Sequence, residues 1–336
     1  MDAKRKILAY LARRRFATGG ELRSHLGVSR QALSVHIRNL IEAGKVVGSG
    51  AARGARYMLR DRAPPPAVVS RVLRIPGLDE SRVWLELAAG LNLPRALRSN
   101  VEAIVRYAFT EMLNNAIEHS DASRCSVRFR LEPGMVSFEV RDPGIGVFHS
   151  IASKLHLESE HAALVELLKG RTTTMPEAHT GEGIFFTSRV ADRFALRSHR
   201  IQVEWSRVKD DVFVSNPRFL PGTTVSFAIQ RNSRRRLDEI FGEFAPEEYD
   251  FQFQKTKVLV KLLRRDFVSR SEAKRLIANL EKFSEIVIDF RDVKSVGQGF
   301  ADEVFRVFAH RHPAIKITTE NTNPAVDAMI RHVGAR

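Results

Sequence analysis

The sequence of 336 residues predicts an α/β protein with two or three domains. Three observations predict this class. About the first 60 residues carry apolar side chains at helical spacing, the middle of the chain alternates apolar and polar side chains, and about the last 80 residues alternate strand and helix patterns. We therefore expect a helical N-terminal domain, a central α/β domain and a small C-terminal α/β domain.

The positive charge of the chain is concentrated at its N-terminus. Residues 1–62 contain 14 Lys and Arg against 4 Asp and Glu, so +10 of the net charge of +15 falls there. A basic segment on a nearly balanced body favours a polyanionic partner for that segment. A solvated basic surface is the alternative interpretation.

The composition is typical of a soluble globular protein, with 43% hydrophobic and 28% charged residues. No apolar run approaches the roughly 20 residues that span a bilayer, and Met1–Lys6 lacks the apolar core of a signal peptide. A single cysteine, Cys125, excludes an internal disulfide and a cysteine-rich zinc site. We expect a cytoplasmic protein with no membrane segment.

Three helices are predicted in the N-terminal domain, residues 1–62. The first covers residues 3–15. Thr18-Gly-Gly-Glu21 is a capping box that opens the second. Gly27-Val28 makes a turn, Ser29 caps the third helix and Gly44 ends it. The apolar faces of the first and third helices consist of Ile7, Leu8 and Leu11, and of Leu33, Ile37, Leu40 and Ile41.

Residues 45–59 predict two short strands around a tip rich in Gly and Arg. Three helices followed by this hairpin resemble the winged helix-turn-helix family. The resemblance implies that the third helix enters the major groove of duplex DNA and that the hairpin contacts the minor groove or the backbone. The implied DNA-binding residues are Ser29, Arg30, Gln31, Ser34, His36 and Arg38 on the helix, and Arg53 and Arg56 on the wing.

Residues 63–80, which begin with Ala63-Pro-Pro-Pro66, predict a stiff linker. The central domain follows at residues 81–232. Its predicted elements are a long helix at 98–120, a hairpin of strands 125–131 and 135–140, a helix at 150–170, a helix at 184–190 and further strands between 194 and 230.

Three sequence blocks in this domain carry polar chemistry. Glu111 and Asn115 are four residues apart and share one face of the long helix. An amide oxygen such as that of Asn115 suits Mg²⁺, and Glu111 could accept a proton as a general base. Asp142 is a hydrogen-bond acceptor suited to an adenine amino group. The glycines beside it, and those before the 184–190 helix, allow close approach of backbone to base and phosphate: Gly144, Gly146, Gly181 and Gly183.

These blocks resemble the GHKL superfamily of gyrase, chaperone, mismatch-repair and histidine-kinase ATPases, whose α/β sandwich is the Bergerat fold. The resemblance implies that ATP and Mg²⁺ are cofactors and that residues 147–180 form a lid over the nucleotide. It implies Glu111 as the possible base and Asn115 as the metal ligand. It places Asp142, Gly144 and Gly146 at adenine, Gly181 and Gly183 at phosphate, and Thr223 in the closing Gly-Thr pair.

After a second predicted linker at residues 233–255, residues 256–336 resemble a STAS domain of the anti-sigma-antagonist type. That family carries a phosphorylated serine in a turn at a helix start. The matching turn here is Gly297-Gln298-Gly299, which has no hydroxyl, and Ser295 lies on the strand side. We expect a docking or dimerisation module rather than a phosphoacceptor acting in cis.

Two classes of function fit these domains. The first is a transcription regulator in which ATP changes the affinity of the basic N-terminal domain for duplex DNA. The second is an enzyme, either a serine/threonine kinase of the anti-sigma type acting on a STAS or sigma-related partner, or a DNA-dependent ATPase. A homodimer is compatible with each.

Overall fold

The computed structural model describes residues 2–49, 55–170, 182–207, 209–244, 255–262 and 269–334. These residues form two compact units. The first comprises residues 1–144 and 191–235, and the second comprises residues 145–190 and 236–336. The central ATPase-like segment therefore contributes residues to both units.

The N-terminal domain has the predicted three helices and hairpin. Its elements are α1 (Ala3–Ala12), β1 (Ala17–Thr18), α2 (Gly19–Leu26), α3 (Arg30–Glu42), β2 (Val46–Ser49) and β3 (Arg56–Leu59), with the strands in the order β1-β3-β2. The capping box is confirmed, because the Thr18 hydroxyl accepts the Glu21 N–H at 3.2 Å and the Glu21 carboxylate accepts the Thr18 N–H at 2.7 Å. Gly27 then ends α2 with φ of 66°.

The core of this domain contains most of the predicted apolar residues. The fully or nearly buried ones include Ile7, Leu11, Leu22, Leu33, Ile37 and Leu40. The prediction was wrong for Ile41, whose side chain is 37% exposed. Ile41 lies at the edge of the helical stripe, beside Gly48 of β2, where the core no longer covers it.

A seven-stranded antiparallel sheet forms the centre of the first unit. Its strands are β4 (Ala67–Arg74), β5 (Arg124–Glu132), β6 (Met135–Asp142), β7 (Arg193–His199), β8 (Ile201–Ser206), β9 (Asp211–Ser215) and β10 (Leu220–Gln230). Their order is β4-β5-β6-β10-β7-β8-β9. The last strand in sequence therefore lies in the middle, where Thr223 pairs with Asp142 and Gln230 pairs with Met135.

Part of each predicted linker is regular structure. Residues 67–74 form β4, which pairs with β5 along its whole length. Residues 237–244 form the helix α10 (Leu237–Phe244). The sequence does not predict the edge strand β4, because its valines do not alternate between a buried and an exposed face. Val72, for example, is 74% exposed.

Helices α4 (Glu80–Leu91), α5 (Leu93–Ala96) and α6 (Ser99–His119) complete the first unit, and α6 packs on β6 and β10. An aromatic cluster fixes α6 to the sheet. The centre of the Phe109 ring lies 4.9 Å from that of Phe129 and 5.6 Å from that of Phe138. Phe138 stacks on Phe227 with 4.9 Å between the ring centres. Edge-to-face and stacked pairs of this kind add about 0.5–1.5 kcal/mol each beyond their buried area.

The second unit begins with the segment that joins β6 to β7. It contains α7 (Val147–Lys154), α8 (Glu160–Leu168) and α9 (Gly183–Val190). Residues 150–170 were expected to be one helix. The chain instead breaks after α7, where His156 has φ of 51°, and restarts at Ser159, whose hydroxyl caps α8 by accepting the Ala162 N–H at 3.2 Å.

The C-terminal residues have the predicted alternation of strands and helices. The elements are β11 (Lys255–Leu259), α11 (Arg270–Ile277), β12 (Glu285–Asp289), α12 (Gln298–Ala301), a π-helical stretch (Asp302–Phe308), α13 (Ala309–Arg311), β13 (Lys316–Glu320) and α14 (Pro324–Gly334). The three strands are parallel in the order β11-β12-β13. Within the described ranges, no helix has both the length and the apolar character needed to cross a bilayer.

Candidate functional site

Helix α6 carries the first two candidate residues, Glu111 and Asn115, both half-buried on one face. The buried Leu113 and Ala116 anchor that part of the helix to the sheet. The helix ends at Ser120, whose hydroxyl donates to the Ala116 carbonyl at 2.5 Å and accepts the Ala122 N–H at 3.1 Å. Asn115 lies five residues before this end, which is about 7.5 Å along the helix axis.

Asp142 is the last residue of β6 and its side chain is buried. Its Oδ1 accepts the Gly144 N–H at 2.9 Å and the Thr223 N–H at 3.3 Å. Neither of these hydrogen bonds uses Oδ2. The carboxylate is therefore held in one orientation by the backbone of two segments about 80 residues apart in sequence.

Two glycines allow these segments to meet. A Cβ atom at Gly144 would lie 1.8 Å from the Ser120 carbonyl oxygen, and one at Gly222 would lie 2.0 Å from the Asp142 carbonyl oxygen. Gly222 also has φ of 75°, which disfavours any other residue. The end of α6, the turn after β6 and the start of β10 thus converge on Asp142, with backbone in contact with backbone.

The burial of this site affects its titratable groups. Burial raises the pKa of Asp142 above its usual value, although the N–H groups of Gly144 and Thr223 favour the charged form. Burial also raises the pKa of the nearby Cys125 thiol to about 11, and the Asp142 charge adds to that shift. Cys125 is consequently a protonated, unreactive thiol near neutral pH.

The other glycines predicted to bind the nucleotide lie between β6 and β7, in residues 145–190 of the second unit. Gly146 has φ of 83° and immediately precedes α7. Gly183 is the first residue of α9 rather than a loop residue before it. Gly181 lies outside the described residues. The structure therefore brings together Asp142, Gly144 and Thr223 beside the end of α6.

The exposed face of α3 carries most of the predicted DNA-binding side chains. Arg30, Gln31, Ser34 and Arg38 are exposed. The Ser29 hydroxyl caps the helix by accepting the Ala32 N–H at 3.2 Å. His36 was expected on this face, but it is half-buried and its Nδ1 is buried.

Three further residues concern this surface: the two predicted wing arginines and Val35. Arg53 lies outside the described residues, whereas Arg56 places its guanidinium 4.4 Å from the centre of the Phe16 ring. Val35 is not among the predicted residues and is 53% exposed on α3. An exposed apolar side chain beside arginines suits contact with a thymine methyl group.

A seam between the winged helix and the sheet was also missed. Arg60 contacts both carboxylate oxygens of Glu132, at 2.9 and 3.2 Å. A Cβ atom at Gly134 in the β5–β6 turn would lie 1.9 Å from the Gly48 carbonyl oxygen of β2. The Gly134 carbonyl in turn accepts the N–H of Arg231, the residue after β10. No local sequence signal marks such a long-range contact.

The turn Gly297-Gln298-Gly299, which the resemblance matches to the phosphoacceptor turn, gives α12 no side-chain cap. Gly297 occupies the N-cap position of α12 and provides no side-chain hydrogen bond. Asp289, at the end of β12, is instead held by Asn321 at 2.9 Å and Lys257 at 2.9 Å. This end of the parallel sheet is a satisfied network of charged and polar groups.

Comparison with known protein families gives three matches along the chain. Residues 2–47 match a winged helix-turn-helix DNA-binding family, residues 63–204 match a histidine kinase-like ATPase domain, and residues 272–327 match a STAS-like domain of unknown function. The ATPase match begins at residue 63, which agrees with the presence of β4 in the sheet. No curated protein matches the chain.

The close approach at Gly144 generates a stability prediction. We expect Gly144→Ala to lower the free energy of unfolding of the sheet domain by about 1–3 kcal/mol, because the new methyl group overlaps the Ser120 carbonyl. Urea unfolding followed by the fluorescence of Trp84 and Trp205 measures this, since both tryptophans lie in that domain.

The matched control for this substitution is Gly90→Ala in α4. A Cβ atom there would lie 3.6 Å from Val69, which is an ordinary contact, and alanine favours the helix by up to about 1 kcal/mol. Equal unfolding midpoints for the two variants would contradict the close packing at Gly144.

Proposed function

Because the chain joins a winged helix-turn-helix domain, a histidine kinase-like ATPase domain and a STAS-like domain, we propose that it is a transcription regulator whose DNA affinity is controlled by Mg·ATP. The domains support a DNA-binding, ATP-binding regulator in general terms. The finer proposal, control by Mg·ATP, draws its main support from the convergence of three segments on Asp142.

The residues around Asp142 fit an adenine nucleotide. The Asp142 carboxylate is oriented by two N–H groups and has an oxygen, Oδ2, that neither of them uses, so it can accept the adenine amino group. Gly144 and Gly222 let the end of α6, the turn after β6 and the start of β10 pack closely around this carboxylate. In this proposal Thr223 and Gly146 contribute backbone near the base, and Gly181 and Gly183 contribute backbone near the phosphates.

Asn115 and Glu111 have separate roles in the proposal. Asn115 supplies a side-chain oxygen to Mg²⁺, which when bound neutralises phosphate charge. Glu111 is one helical turn further from the end of α6 and acts as the general base if ATP is hydrolysed or transferred. Both side chains are half-buried on a helix whose inner face is fixed by the aromatic cluster.

A continuous piece of structure connects the proposed pocket with the DNA-binding head. Strands β6 and β10 pair from Thr223–Asp142 at the pocket to Gln230–Met135 at the other end. Beyond that end lies the seam in which Arg60 binds Glu132. A change at Asp142 that shifts β10 against β6 would therefore reach the residues that hold the wing.

The proposed function is tested by measuring the affinity for duplex DNA with and without Mg·ATP. We expect the two dissociation constants to differ by about fivefold or more, which is the usual size of a coupling between sites. Fluorescence anisotropy with labelled duplex DNA gives both constants. Identical constants at saturating nucleotide would contradict the proposal.

Asn115→Ala should remove both Mg·ATP binding in calorimetry and its effect on DNA affinity, because the metal loses its protein ligand. Asn114→Ala is the matched control, since this amide is also half-buried on α6 but points about 100° around the helix. The metal-ligand assignment is refuted if Asn115→Ala binds Mg·ATP as tightly as the Asn114→Ala variant.

DNA binding should depend on salt through the arginines of α3. We expect Arg30→Ala and Arg38→Ala each to reduce the slope of log affinity against log salt by about one, because each removes a charge that contacts the DNA backbone or a base. The control is Arg331→Ala, which removes an exposed arginine of the C-terminal domain. Slopes unchanged from the wild type would locate DNA binding elsewhere.

One further experiment separates this regulator from the enzymes that share its ATPase fold. With γ-labelled ATP, label on a protein indicates a kinase, free phosphate indicates an ATPase, and intact ATP indicates a binding switch. Loss of turnover with retained nucleotide binding in Glu111→Ala would identify Glu111 as the base.

A further inference from the structure

The segment between β6 and β7 packs with the C-terminal domain. Residues 145–190 belong to the same compact unit as residues 236–336, although they are inserted between two strands of the ATPase sheet. The resemblance places the nucleotide lid in this segment. Of its described helices, α8 contacts the STAS-like domain through its C-terminal end, α7 packs on α8 and α9 packs on α10.

A buried ion pair fastens the end of α8. Lys169 is 2% exposed and Glu166 is 7% exposed. The Lys169 Nζ donates to Glu166 Oε1 at 2.5 Å, to the Arg275 carbonyl at 3.0 Å and to the Ala278 carbonyl at 2.8 Å. The three hydrogens of the ammonium group thus have three acceptors, two of which are carbonyls at the C-terminal end of α11.

Further contacts extend this junction on both sides of the lysine. The Thr256 hydroxyl of β11, which is fully buried, donates to the Lys169 carbonyl. Asn279, just beyond α11, donates its amide to Glu166 Oε2 at 3.3 Å. Burial lowers the pKa of Lys169, and the Glu166 carboxylate opposes that shift. Removing either side chain would leave the other as a buried charge without this partner, which destabilises the fold.

Helix α9 is held to the same unit by aromatic contacts. The Phe185 ring meets Phe244 at 5.0 Å and the Phe186 ring meets Phe241 at 4.7 Å, both edge to face. The Arg189 guanidinium lies 4.9 Å from the centre of the Phe185 ring. The described residues before and after the 171–181 stretch are therefore both attached to the C-terminal unit.

We propose that the STAS-like domain is a regulatory clamp on the nucleotide lid, and that Lys169 and Glu166 are the contact through which lid position and the state of α11 are coupled. This proposal rests on the proposed function, because the lid has this role only if Mg·ATP binds at Asp142. A partner that binds the STAS-like domain then changes ATP affinity, and ATP changes the affinity for that partner.

The test is hydrogen–deuterium exchange on the full chain with Lys169→Met. Methionine keeps the approximate length of the side chain but removes the ammonium donor to Glu166 Oε1 and to the Arg275 and Ala278 carbonyls. We expect amides of α8 and α11 to exchange about tenfold faster together, while those of β5 and β6 keep their wild-type rates. Lys274→Met, which removes an exposed lysine of α11, should leave all of these rates unchanged.

A milder variant covers the case in which Lys169→Met does not fold. Thr256→Val keeps the shape of the buried side chain and removes one hydrogen bond to the Lys169 carbonyl, so we expect about threefold faster exchange in both helices. Faster exchange in α8 with α11 unchanged, in whichever variant folds, would overturn the clamp.

Nucleotide provides the second arm of the test. Mg·ATP should slow exchange in α11 of the wild type by about threefold and leave α11 unchanged in Lys169→Met. Calorimetric binding of Mg·ATP with no effect on wild-type α11 would overturn the coupling. If calorimetry detects no Mg·ATP binding, the proposed function fails instead. The exchange rates of wild type and Lys169→Met without nucleotide then still decide whether Lys169 couples α8 to α11.

Discussion

The structure of the first unit depends on how the Asp142 carboxylate is held. One oxygen accepts N–H groups from Gly144 and Thr223, so the turn after β6 and the start of β10 are joined through a buried carboxyl group. The Ser120 carbonyl at the end of α6 lies against the same turn. Because a buried carboxylate is stable only with such partners, the three segments must form this junction together.

The sequence predicts what is local in this structure, such as the Thr18–Glu21 capping box and the shared helical face of Glu111 and Asn115. It does not predict the features that depend on distant partners. Residues 67–74 carry exposed valines with no buried face, so the local pattern predicts linker, and their strand character depends on pairing with β5. The seam between Arg60 and Glu132 is likewise absent from any local pattern.

The ATPase segment has two outward connections of different kinds. On one side, β6 and β10 lead from Asp142 to the turn that supports the wing, through backbone pairing and an ion pair that is partly exposed on the Arg60 side. On the other, Lys169 at the end of α8 donates to carbonyls of α11 in the STAS-like domain, and phenylalanine rings join α9 to α10. In the proposed account, these connections allow one nucleotide to influence both ends of the chain.

The most direct measurement of the central claim is calorimetric comparison of ATP with GTP in the presence of Mg²⁺. Asp142 accepts the amino group of adenine in this account, whereas guanine presents a carbonyl oxygen at the same ring position. We predict that ATP binds at least about tenfold more tightly than GTP, because the buried carboxylate would face an acceptor. Equal affinities for the two nucleotides, or no heat from either, would contradict the role of Asp142.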